Sequence, residues 1–173
     1  MAFELIAAVV FGFGTAGIAM LLRKIAPSLI PRFVVPASAG LAMLGFTIWS
    51  EYAWFDRQAS SLPAGVEVAT TAATASPLRP WTYVRPFVNR FIAVDVGGAK
   101  RHEKAPGQVL VDLYVFERYA PTATAPLLVD CAAARRADIA DGAVFKDDGA
   151  FADVVWREVG AEDPLVRTAC AAG

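Results

Sequence analysis

A single histidine, two cysteines and almost no net charge leave this chain short of the groups on which most enzymes and nucleic-acid-binding proteins rely. His102 sits in the charged run Lys100-Arg101-His102-Glu103-Lys104 with no second ligand near it in sequence, so a Ser/His/Asp triad or a histidine metal site has nothing to build on. It reads as a solvated loop histidine. A net charge of −1 supplies no field to gather nucleic acid or acidic substrates, and nucleic acid is excluded as a partner. Asp138, Asp141, Asp147 and Asp148, with Gly142 and Gly149, lack the D-x-D-x-D-G order and the bidentate acid of a calcium loop. Nothing around the same carboxylates raises a pKa for acid–base work. No catalytic residue, cofactor or metal site is expected, and the chain is read as a non-enzyme.

Charge is scarcest at the N-terminal end. Leu5 to Leu22 carries no charged residue, and at ~1.5 Å per residue it spans roughly 27 Å, close to a ~30 Å hydrocarbon core. A second apolar stretch, Phe33 to Ser50, follows and ends among Trp49, Tyr52, Trp54 and Phe55, aromatic rings of the kind that anchor at a membrane–water interface. The expectation is a two-helix transmembrane hairpin over residues 1–55, with helices at about 4–23 and 33–54. A cleaved signal peptide fits poorly, because Glu4 stands where positive charge is required and the positive charges follow the apolar run. The connection carries Arg23, Lys24 and Arg32 and no acid, so the positive-inside rule puts it in the cytoplasm and both termini outside.

Small residues at Ala8, Gly12 and Ala16 in the first helix, and at Gly40 and Gly45 in the second, allow close helix packing, either within the hairpin or against helices of a partner. Gly12-Phe13-Gly14-Thr15-Ala16-Gly17 also matches a dinucleotide-binding fingerprint. The acid expected some 20 residues later is missing, and the position falls in the second apolar segment, so that reading is rejected.

The remaining chain is an ordinary charged sequence. Cys131 and Cys170 both fall in it, and a cysteine pair in an exported domain is most simply a disulfide, worth roughly 3–4 kcal/mol in the chain-entropy model. Residues 56–80 are rich in Ala, Thr, Ser and Pro and read as a stalk or extended segment, with a possible strand at Val66 to Thr70. Residues 81–173 read as a mostly antiparallel β domain. Alternation marks Phe87 to Val96 and Val109 to Tyr119 as a hairpin with a long charged loop between them. Leu127 to Asp130, Phe145 and Val154 to Val159 are shorter strand candidates. Asp163-Pro164 starts a short C-terminal helix. At least one of Arg135 and Arg136 is expected to pair with an acid or lay its stem across the sheet.

Asp130-Cys131-Ala132, then Arg135-Arg136, Trp156 with Val159, and Asp163, Leu165 and Cys170 together resemble the surface-adhesin protein E-like domains of bacteria. The resemblance covers Val109 to Cys170 and implies a small, mostly antiparallel β fold with those two cysteines bridged and with Arg135, Arg136 and Trp156 as structural motif residues. Some members of that family are outer-surface lipoproteins that bind host matrix proteins; this chain departs from them in its hairpin and in lacking a lipobox cysteine.

The fold expected is therefore an α+β membrane protein: a hairpin in the bilayer followed by a disulfide-stapled β domain. Ala and Arg richness suggests a bacterium of high GC content, which makes the membrane an inner membrane and the domain periplasmic. The function expected is that of an accessory or assembly subunit of a larger membrane complex, such as a respiratory or other energy-transducing assembly. The alternative is a membrane-anchored periplasmic module that binds a ligand or surface.

Overall fold

The computed structural model describes residues 2–102, 105–139 and 154–171. The chain divides into two compact units, Met1–Asp56 and Arg57–Gly173.

The first unit is built on α1 (Ala2–Ile25) and α2 (Val34–Ser60). Helix α1 carries no charge between Glu4 and Arg23, closes with Arg23 and Lys24 beside its negative dipole end, and stops just ahead of Pro27. Pro36 is tolerated in α2 because it falls in the first turn, where the missing N–H has no helical acceptor. The two helices run antiparallel. Ser50 Oγ donates to Glu4 Oε1 at 2.9 Å, and the rings of Phe11 and Phe46 lie 5.8 Å apart.

Met43 packs directly on Gly12, since a Cβ there would collide with Met43 Cε and lie 2.8 Å from its Cγ. Ala19 is buried and Ala8 and Ala16 are half-buried. By contrast, a Cβ at Gly14, Gly17, Gly40 or Gly45 would meet nothing within 4 Å. Gly12 therefore faces α2, whereas Gly40 and Gly45 face away from the neighbouring helix.

Among the described residues only α1, over Phe3–Ile25, is long and apolar enough to cross a membrane by length and composition. The difference from the expected pair has a local cause. Phe33 precedes the start of α2, so any 18-residue stretch inside that helix takes in Thr47, Ser50 and Glu51, and the one that begins at Val34 takes in Pro36 and Ser38 as well.

The described residues of the second unit form a seven-stranded antiparallel sheet of order β1-β2-β4-β5-β6-β7, with β3 on β4. Strand β1 (Val66–Thr74) pairs with β2 (Phe87–Asp95), and the one-turn α3 (Trp81–Val84) lies between them. The possible strand at Val66 to Thr70 is thus present within the 56–80 stretch and runs on to Thr74. Its Ala and Thr residues form a strand with two register shifts, which blur the alternation a sequence reader looks for. Gly65 opens this strand at φ +89°, where its carbonyl accepts from both Val96 and Gly97, and Gly97 lies too close for a side chain at position 65.

Strand β4 (Ala105–Glu117) is longer than expected at its start. One edge is shared by β3 (Lys100–His102) and β2, the other taken by β5 (Ala123–Asp130). The loop expected around His102 is therefore partly strand, with the backbone of His102 opposite Ala105. Strands β6 (Arg135–Asp138) and β7 (Arg157–Glu158) complete the sheet. Phe145 and the acids at 141, 147 and 148 lie outside the described residues.

One face of the sheet presents Val94, Val109, Val111, Leu113, Leu127 and Val129, and α4 (Pro164–Ala171) covers it with Leu165, Val166 and Ala169. The other face buries Phe91, Ala93, Leu128 and Ala137, with the Phe91 and Phe116 rings stacked at 4.7 Å.

Gly12→Leu should lower the thermal midpoint of the detergent-solubilised protein, by overpacking worth about 1–3 kcal/mol, whereas Gly14→Ala should leave it unchanged. Equal midpoints for both variants would show that α1 and α2 do not meet at Gly12.

Candidate functional site

The described polar groups converge most densely where β5 turns into β6. Asp130 ends β5 and is buried, and its carboxylate has an acceptor task for each oxygen. Oδ1 accepts from the backbone N–H groups of Ala132 and Ala133 at 3.2 and 3.1 Å, closing an Asx turn over the loop 131–134. Oδ2 accepts from Nε and Nη2 of Arg135, directly opposite on β6, at 3.1 and 2.9 Å. The guanidinium of Arg135 also lies over the Trp156 ring, 4.5 Å from its centre. The last loop residue, Ala134, takes φ +50°, and its carbonyl accepts from Gly160 N–H at 3.0 Å, which holds the chain beyond Trp156 in place.

The next residue points to the opposite face. Arg136 Nε reaches Asp163 Oδ2 at 3.7 Å. Asp163 caps α4: its Oδ1 accepts from Leu165 and Val166 at 3.0 and 3.2 Å, and its carbonyl accepts the first helical bond from Arg167. Two carboxylates thus do the same work, one on each face: one oxygen turns the chain and the other meets an arginine. Cys131 and Cys170, whose Cα atoms are 5.8 Å apart, join the loop to the end of α4 in a disulfide.

For Asp130, burial by itself pushes the carboxyl pKa up. The Ala133 N–H, the Arg135 hydrogen bonds and charge, and the Ala132 N–H together outweigh it and hold the pKa below the usual carboxylate range. An ionised, fully engaged carboxylate beside an arginine is no general base. The cluster is a clamp, and its chemistry is that of holding a turn and a helix against a sheet.

Cys131, Cys170, Arg135, Arg136 and Trp156, singled out from sequence, are brought together here. Asp130 is the member whose role sequence reading left unassigned, although an Asp before a small-residue turn is the signal of an Asx turn; Asp163, expected as the start of the C-terminal helix, caps α4 and also meets Arg136. Of the expected interfacial rings, Trp49 is exposed, and Tyr52 and Trp54 are half-buried. Gly12 to Gly17 falls in the middle of α1, with no strand ahead of it. Among the described residues, no three His, Cys, Asp or Glu side chains come close enough to share a metal ion.

Cavities are present as well among the described residues. One, of about 230 Å³, is lined by Arg136, Asp138, Val155, Trp156 and Arg157 beside the clamp. Another, of about 290 Å³, is a mostly apolar groove formed by Leu62, Pro63, Val66, Tyr114, Phe116 and Thr122. No protein-family model, curated sequence or solved structure matches the chain.

Asp130→Asn should destabilise the fold by about 1.5–3 kcal/mol, the worth of hydrogen bonds to a charged group. Because the folded pKa is depressed, the Asp130 contribution is complete above the unfolded value near ~3.9 and drains away as pH falls from there through the lower folded value. Chemical denaturation of the wild type should weaken over that acid window, and the Asn variant should lose less. Parallel pH profiles would exclude the clamp.

Proposed function

We propose that the chain is a two-span protein of a bacterial inner membrane, with its β domain in the periplasm, serving as a non-enzymatic accessory or assembly subunit of a larger membrane complex. The observation that carries this reading is the surface of the helical hairpin. Phe3, Ile6, Val10, Phe13, Ile18, Leu21 and Ile25 of α1, with Leu41, Leu44 and Trp49 of α2, all face outward. A helix that is apolar all round needs a protein core or lipid about it, and α1 is hardly buried within its own chain.

Helix α2 falls short on average hydropathy, yet it runs along α1 from Glu4–Ser50 to Gly12–Met43, so its Val34–Ser50 segment shares whatever solvent α1 has. Its hydroxyls are compatible with lipid. Ser38 donates to Val35 O, Thr47 to Met43 O and Ser50 to Glu4, so none spends a donor on water. The same pairing argues against α1 as a removable signal sequence. Gly14, Gly17, Gly40 and Gly45 stand open on the outside of the hairpin among bulky neighbours, a surface suited to helices of other subunits. The disulfide supports an oxidising compartment for the domain.

A second reading, a membrane-anchored module that binds a ligand or surface, is favoured by the apolar groove at Tyr114 and Phe116.

Extraction of the tagged protein from its own membranes in mild detergent should recover stoichiometric partner chains by mass spectrometry; recovery of this chain alone would shift the weight to the anchored module. Orientation is checked separately. In a Cys131→Ala variant, Cys170 should react with a membrane-impermeant maleimide on intact spheroplasts, and protection until lysis would reverse the topology.

A further inference from the structure

The β domain hides its large apolar side chains well, with one concentrated exception. Among the described residues of the second unit only five are strongly exposed, and four lie together: Leu78 (89%), Tyr83 (64%), Val84 (90%) and Tyr119 (53%). Arg79 joins them, donating from Nη2 to Tyr119 Oη at 3.3 Å, with its guanidinium 5.9 Å from the centre of the same ring. Arg85 follows Val84 at the end of α3 and is exposed.

This is no floppy loop. Thr82 is fully buried, accepts from Ser76 N–H at 2.9 Å and donates to the Arg79 carbonyl at 2.6 Å, which fixes the turn from the inside and leaves Tyr83 and Val84 outside. Pro77, Pro80 and Pro86 stiffen the segment further. A rigid element that displays clustered apolar side chains is a candidate contact surface.

We propose that Leu78, Arg79, Tyr83, Val84, Arg85 and Tyr119 form a surface that seats on the headgroup region of an anionic lipid bilayer. This rests on the reading that the hairpin is membrane-embedded. The charge pattern selects the occupant. No acidic residue occurs between Val68 and Val94, and arginines flank the apolar tip on both sides. Guanidinium groups take phosphate oxygens through paired N–H donors, tyrosines settle where a ring meets the headgroups, and Leu78 and Val84 are placed to enter the shallow acyl region.

The test uses the full chain with Val84→Cys, whose thiol is the unique free one because Cys131 and Cys170 are bonded. An environment-sensitive fluorophore is attached there and, in separate variants, at Arg167→Cys on α4 and Leu41→Cys on the hairpin. Each is reconstituted into nanodiscs of phosphatidylcholine, or phosphatidylcholine with phosphatidylglycerol, containing headgroup-proximal spin-labelled lipid. The Val84 probe should be blue-shifted and quenched, more strongly with phosphatidylglycerol, while the Arg167 probe is not. Combining Arg79→Gln with Arg85→Gln should weaken the association on the order of fivefold per arginine.

A Val84 probe untouched in both lipids, with the Leu41 probe quenched, would leave the embedded hairpin standing and overturn the lipid assignment in favour of a protein partner. Equal quenching at Val84 and Arg167 would overturn it as well, since the domain would then lie on lipid without using this surface. An unquenched Leu41 probe would remove the embedded hairpin, and the proposal with it.

Discussion

The seating of an eight-residue helix on an open sheet face is the constraint on which the β domain depends. Helix α4 supplies Leu165, Val166 and Ala169 to the core over Val94, Val109, Val111, Leu113, Leu127 and Val129. A helix so short is marginal by itself, since nucleation is costly and few bonds repay it. It is therefore fixed at both ends. Asp163 caps its start and meets Arg136, and the Cys170 bond to Cys131 ties down its end. Without those attachments the core face would stand open to water.

The two units follow opposite rules about where apolar atoms go. In the domain they turn inward, apart from the rigid tip around α3. In the hairpin they turn outward, while hydroxyls bend back to carbonyls of their own helix or to Glu4. On the proposed reading this is one chain matched to two solvents, with Trp49, Tyr52 and Trp54 close to the change from one to the other.

What could be read from sequence follows from how locally each feature is encoded. The alternation of β2 and β4, the Asp163-Pro164 helix start and the cysteine pair are short-range or chemically singular, and all are present in the fold. Strand β6 carries no alternation to mark it, and although an acid partner is expected for one of its arginines, which acids serve, 5 and 27 residues away, depends on the fold. Strand β1 is expected only over Val66 to Thr70, because Ala, Thr and two register shifts blur its run to Thr74. The small residues of the hairpin show a third kind of limit. Spacing names Gly12, Gly40 and Gly45 alike, but only the placement of Met43 tells which of them meets a neighbour.

The paired carboxylates have a consequence for how the sheet edge assembles. Strand β6 has only four residues, and so short a strand could slide along β5 at little cost in backbone hydrogen bonds. Its side chains forbid this in both directions. Sliding one way places Asp138 where Ala137 is now buried beside Leu128 and takes the arginine away from Asp163; sliding the other way drives Arg136 into that same buried place and leaves Asp130 facing Ala134. Either error strands a charge without water, so Arg-Arg-Ala-Asp acts as a key that seats at one notch only.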